Sequence, residues 1–267
     1  MKKSKVIITV FILFSISLAF TPSAVPQVGT YTFHGAPGNV KILKVRTVNN
    51  QSLEDLFGAG WVSVIEMFGP GAAVVGAMSQ SLVTAVNMSY LYSGYDAALY
   101  NTSNWDWTTG AFSATPDSVG DIVVSLYDPT IITFLVNFIW GTNVTVQNAA
   151  ALMAQLPTSV EQYLGAIVWE PGWQNVGNTV VHSATAGEWA FMAMFQYLED
   201  CTEIWTYDTT YGAWIGYKIL DNETNTIYEF SIELAIPPIP GYELPILLGV
   251  SMSIMVMLIY VVMKKKR

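Results

Sequence analysis

Alternation of apolar and polar positions is clearest late in the chain. Tyr228, Phe230, Ile232 and Leu234 alternate with Glu229, Ser231 and Glu233, the period of two written by a strand in a sheet with one wet face. Working back from there, Ala213–Leu220 and Glu203–Tyr207 predict two more strands, separated by the turn-forming stretches Asp221–Asn225 and Asp208–Gly212. Glu188–Leu198 and Asn178–Thr185 precede them, joined by Ala186-Gly187. Near the other end, Gln27–Val48 reads as one or two strands turning at Ala36-Pro37-Gly38. Ser81–Tyr92 alternates and predicts a strand, with Ala97–Trp107 as its partner before the turn Thr108-Thr109-Gly110.

Between these blocks the period changes. Ser52 followed by Glu54 and Asp55 predicts a capped helix with Leu53, Leu56 and Phe57 on its buried face. Leu56–Val86 carries Glu66 as its one charge, and Gly69-Pro70-Gly71 interrupts it, so two short buried helices are expected there rather than a membrane span. Pro129–Trp140, Val144–Leu156 and Ser159–Val168 read as helices, the last opened by the capping box Thr158-Ser-Val-Glu161. Strands at both ends with helices between them predict an α+β fold: an antiparallel β-sheet meander packed against a helical layer.

The two chain ends have a different character. Met1-Lys2-Lys3-Ser4-Lys5 precedes the apolar run Val6–Phe20 and the small residues up to Ala24, the layout of a signal peptide over 1–24, with an uncleaved N-terminal anchor as the alternative. Pro-rich residues 237–243 lead into the uncharged run Leu244–Met263 and the basic tail Lys264–Arg267. A helix over that run spans ~30 Å, the hydrocarbon thickness of a bilayer, and the cations hold the tail on the cytoplasmic side. The expected product is a single-pass cell-membrane protein with residues 27–236 outside. Its expected partners are translocon, signal peptidase and membrane lipid.

Charge follows this division. The chain carries 11 Lys and Arg against 20 Asp and Glu, a net of −9. Between the two hydrophobic runs only Lys41, Lys44, Arg46 and Lys218 oppose all 20 acids, which makes that segment −16. Such a surface repels nucleic acid. A single cysteine, Cys201, rules out an intrachain disulfide, so the core must hold the fold, and 52% hydrophobic and 13% aromatic residues supply one. Sequons at Asn50, Asn87, Asn101, Asn143 and Asn222 all fall in the exterior segment and are candidate glycosylation sites.

The inventory for catalysis is thin. His34, His182 and Cys201 fit no hydrolase, phosphate-binding or zinc motif, so no catalytic residue, metal or cofactor is expected. His182 reads as a satisfied histidine at a sheet rim and Cys201 as a small semi-buried hydrophobe closing a strand. Asp106 between Trp105 and Trp107, and Glu170 beside Trp169 and Trp173, set acids next to sugar-stacking rings, the one hint of a glycoside hydrolase. The segment Trp189–Phe195, rich in Met and aromatics, suits a thick core or a cavity for an apolar ligand.

The tail as a whole, with Pro240-Gly241-Tyr242 before the span and basic cluster, resembles the tripartite C-terminal sorting signals of archaeal surface proteins, in the variety seen in Asgard archaea. The better-described signal has Phe after Gly, so Tyr242 is a departure. The resemblance implies anchoring, with the span either retained or exchanged for lipid by an archaeosortase-like transpeptidase. Separately, Trp205–Tyr217 resembles the strand–turn–strand hairpin of periplasmic lipoprotein carriers, whose half-barrel sheet holds acyl chains against a helical lid. The leading expectation is a non-enzymatic, glycosylated surface protein serving binding, adhesion or envelope structure. A carrier of lipid or another hydrophobic ligand is the alternative, and a surface glycoside hydrolase the third.

Overall fold

A computed structural model describes residues 31–92, 94–129, 155–169, 171–188 and 195–236. The expected signal peptide, Pro-rich spacer, span and basic tail lie outside them, as do nearly all of the expected helices Pro129–Trp140 and Val144–Leu156. Among the described residues no helix is long and apolar enough to cross a membrane. Gln27–Pro237 forms a compact unit by itself.

The described elements are β1 (Val40–Val48), α1 (Asn50–Phe57), α2 (Trp61–Ile65) with a 3-10 turn (Glu66–Phe68), β2 (Met78–Tyr92), β3 (Tyr95–Thr108), β4 (Ser118–Leu126), α3 (Val160–Gly165), β5 (Trp173–Val176), β6 (Thr179–Ala184), β7 (Cys201–Tyr207), β8 (Trp214–Leu220) and β9 (Thr226–Ile236). The fold is sheet-dominated. All nine strands join one antiparallel sheet in the order β4-β3-β2-β1-β9-β8-β7-β6-β5. Two sequence-local meanders, β1 to β4 and β5 to β9, therefore meet at a central seam where the first and last strands pair. Val40 faces Ile236 at one end of that seam and Val48 faces Tyr228 at the other.

The main core lies on one face of this sheet. Val45, Trp205, Tyr217, Ile219, Tyr228 and Phe230 pack there against Leu53 and Leu56 of α1, Ile65 of α2, and Val160, Tyr163 and Leu164 of α3. Phe68 sits among the rings, with centroids 4.8 Å from Tyr217 and 5.2 Å from Phe230. A second cluster covers the other face near β3. Ala97 belongs to the main core and the next residue, Ala98, to a group with Phe33, Tyr100 and Tyr127, because successive strand residues point to opposite faces. Phe33 stands 4.8 Å edge-on from Tyr127, and a Cβ at Gly35 would overlap the Tyr100 ring, so the stretch before β1 lies flat on β3. That sheet region has no wet face.

Several expectations are corrected. The α1 cap is Asn49, whose side chain accepts from the Ser52 amide, rather than Ser52 itself. The second half of Leu56–Val86 is turn and then strand. Gly69, Gly71 and Gly76 adopt φ values of 120°, 84° and 84°, which a right-handed helix cannot contain. The capping box at α3 does not form: Ser159 caps without a side-chain hydrogen bond, and the Thr158 hydroxyl instead donates to the Thr32 carbonyl. Cys201 opens β7 instead of closing a strand, and residues 195–198 of the expected strand Glu188–Leu198 are not in a strand. The alternation of β9 breaks at Leu234, 46% exposed, because a bulge intervenes before it.

Candidate functional site

Four neighbouring strands carry the polar cluster of the main core. His182 on β6 faces Trp173 on β5 and Glu203 on β7 in register. Tyr217 on β8 reaches Glu203 diagonally, within the range of cross-strand side-chain contact. The placement follows from the period of β7. Cys201, Glu203, Trp205 and Tyr207 are all buried, so the carboxyl group goes inward with three apolar neighbours. Glu203 is 1% exposed and His182 5%.

The side-chain polar atoms of His182, Glu203 and Tyr217 each meet a partner, as burial requires. His182 Nδ1 lies 3.0 Å from Glu203 Oε2, and the Tyr217 hydroxyl donates to Glu203 Oε1. His182 Nε2 lies 3.5 Å from Glu188 Oε2, which also accepts from the Thr185 amide at 3.1 Å. The Trp173 ring stacks on the imidazole at 3.9 Å. Two carboxylates and one aromatic face thus occupy both nitrogens and one side of the ring. Burial pushes the Tyr217 phenol well above its ordinary range and the Glu203 charge adds to this, so it stays a donor. Burial likewise pushes the Cys201 thiol up, with Glu203, Asp200 and Glu188 acting in the same direction. A thiol held protonated is a poor nucleophile.

The remaining candidates are dispersed. Trp105 and Trp107 are buried, with their indole N–H groups donating to Ser113 and Phe68, while Asp106 between them is exposed. The Asp106 carboxyl is raised first by desolvation and then by Asp117, whose own carboxylate accepts from the Asp106 amide at 2.8 Å. Glu170 lies outside the described residues, and Trp173 serves the histidine stack. His34 Nε2 sits 2.9 Å from the Thr158 hydroxyl, far in sequence from the buried cluster. Among the described residues no group of three His, Cys, Asp or Glu is placed to hold a metal.

Of the glycosylation candidates, Asn50, Asn87 and Asn222 are exposed and Asn101 is half-buried in β3; Asn143 lies outside the described residues, as do the sorting-motif residues Pro240, Gly241 and Tyr242. Sequence reasoning missed Glu203 as a buried partner of His182. The signal was present in the parity of Cys201, Glu203, Trp205 and Tyr207, which puts the acid on the apolar side of its strand. Compared with protein-family models, with curated proteins and with solved structures, the chain matches none.

Proposed function

We propose that this chain is a membrane-anchored, glycosylated cell-surface protein whose ectodomain serves binding, adhesion or envelope structure rather than catalysis. The observation that carries this reading is the position of β9. It is the central strand of the sheet, held by β1 and β8, and it runs at Ile236 directly into the Pro-rich residues before the apolar run. An anchor attached there holds the sheet by its middle strand. The α+β architecture, with a helical layer packed on the meander, stays part of the proposal.

Two features favour a binding or structural role. The polar cluster around His182 is turned inward and engaged with itself. The inner face near β8 and β9 is filled by rings, Trp214 and Tyr217 lying 5.3 and 5.8 Å from Phe230, where a lipid carrier would need room for an acyl chain. In this reading the tail is either kept as a span or exchanged for lipid near Gly241 by an archaeosortase-like transpeptidase. The test is protease added to intact cells that express the chain with a tag after Arg267, beside the intact mass of the mature protein. Digestion of residues 27–236 with the tag spared, or a lipid-bearing end near Tyr242, agrees with the proposal. An ectodomain protected from outside refutes it.

A further inference from the structure

The seam gives the sheet two distinguishable ends. Val40 and Ile236 pair at the end from which the C-terminal residues leave. Val48 pairs with Tyr228 at the other, and nine residues of β1 at about 3.3 Å each put roughly 30 Å between them. Asn50 lies at this far end, since the Asn49 amide donates to the Ile227 carbonyl at 2.8 Å and α1 begins directly after it. Asn222 lies there too, in the loop after Leu220, which pairs with Thr226.

Both asparagines are exposed, and in both sequons the preceding residue supplies the local hydrogen bonds. Asn49 Oδ1 accepts from the Ser52 amide and caps α1. Asp221 Oδ1 accepts from the Glu223 and Asn225 amides and closes the β8–β9 loop. Substituting the amide nitrogen of Asn50 or Asn222 with a sugar therefore disturbs neither the cap nor the loop. Asn101 differs. It pairs with Ala85 on one side and Ile122 on the other, inside a strand flanked on both sides, and the next residues Thr102 and Ser103 are 7% and 8% exposed. Its carbonyl also accepts from the Thr84 hydroxyl at 3.1 Å. A glycan there must leave from the middle of a ladder whose own sequon hydroxyl is inside the protein. Asn87 is exposed but lies on β2 beyond Leu82, the partner of Val40, and so on the exit side.

We propose that Asn50 and Asn222 carry N-linked glycans that together crown the end of the sheet opposite the C-terminal exit, and that Asn101 carries none. The proposal rests on the surface reading above and adds which sequons of that surface carry sugar. The linkage is an N-glycosidic bond from each side-chain amide nitrogen to the C1 carbon of a sugar supplied on a lipid-linked pyrophosphate donor; the bond from C1 to the pyrophosphate oxygen breaks, the lipid pyrophosphate leaves, and the amide loses one proton.

The experiment is glycopeptide mass spectrometry of the full chain from cells that N-glycosylate exported proteins, with external protease digestion run in parallel. Peptides holding Asn50 and Asn222 should carry glycan mass, and the Asn101 peptide should be bare. Asn50→Gln and Asn222→Gln should each lower the intact mass by one glycan and leave the thermal midpoint of the deglycosylated protein unchanged. A glycan on Asn101, or a bare Asn50 or Asn222 in protein that external protease digests, overturns the inference while the surface reading stands. Protein that the protease cannot reach overturns both.

Discussion

Glu203 offers the sharpest test of how the interior is held together. Its carboxylate, 1% exposed, receives the Tyr217 hydroxyl on one oxygen and meets His182 Nδ1 at 3.0 Å on the other. Glu203→Ala removes both interactions at once. Each buried polar group deprived of its partner costs about 1–3 kcal/mol, and breaking one side of a buried pair typically costs about 3–5 kcal/mol. Both routes converge on about 3–5 kcal/mol, a large share of the ~5–15 kcal/mol that holds a typical domain. For a body of this size that lowers the thermal midpoint by about 6–20 °C. The opposite design discriminates the cause. Glu203→Leu with His182→Phe and Tyr217→Phe replaces the whole network by apolar groups of similar shape, and should stay within about 2 kcal/mol of the parent. Urea unfolding of residues 27–237 supplies both free energies. If Glu203→Ala costs under about 1 kcal/mol at an unchanged m value, the network is open to water and the burial argument is wrong.

Lys41 gives a pH signature. Burial lowers its amine from 10.5 to about 8, and its Nζ donates to the Trp214 carbonyl at 3.0 Å. Between those two values the unfolded chain binds more protons than the folded one, so stability rises with pH across that window; Lys41→Met should flatten the rise in urea midpoint from pH 8 to 10, and an unchanged slope would sink the assignment. Gly212 adopts φ 73°, and a Cβ there would overlap the Leu156 carbonyl oxygen where that residue bridges to the β7–β8 turn. Gly212→Ala should cost about 2 kcal/mol or more in the same unfolding assay, and a neutral effect would show that the 155–156 segment is not docked there.

Legibility in the sequence followed how local each feature was. β6 to β9 were readable, because hairpin strands with one buried face alternate and end at Gly or Asp turns. β4 was not. Ser118-Val-Gly-Asp-Ile-Val-Val-Ser-Leu126 has no clean period, Gly120 has a φ of 74°, and its register shifts beside Thr102 and Ser103. β5 has only four residues, too few to show a period. The long apolar stretch after Leu56 looked helical because hydrophobicity alone does not separate a helix from a packed turn, and the positive φ angles of its glycines decided otherwise. The His182–Glu203 pairing crosses two strands 21 residues apart in sequence, so no motif records it. What a single strand could have told was that Glu203 shares its parity with Cys201, Trp205 and Tyr207.

The seam between β1 and β9 joins the first and last of the described strands, and a slip of one residue there exchanges the two faces. It contains two bulges on opposite strands. Glu233 is the extra residue of β9 between the pairs Ile42–Leu234 and Leu43–Ile232, and Arg46 is the extra residue of β1 between Val45–Phe230 and Thr47–Glu229. Each bulge offsets the ladder by one residue and together they cancel. Their extra residues meet: Arg46 lies 2.7 Å from Glu233, Lys44 reaches the same carboxylate at 3.2 Å, and both cations hold its pKa below the ordinary range. Lys218 of β8 pairs with Glu229 at 3.4 Å, and Lys41 spans β9 to the Trp214 carbonyl. All four cations of residues 27–236 thus lie on β9 and its flanks. Exposed pairs of this kind are screened by water and add too little to explain the fold's stability. Their effect is on selection. In any slipped pairing the bulge residues no longer face each other, and the contacts of Arg46 and Lys44 with Glu233 are lost.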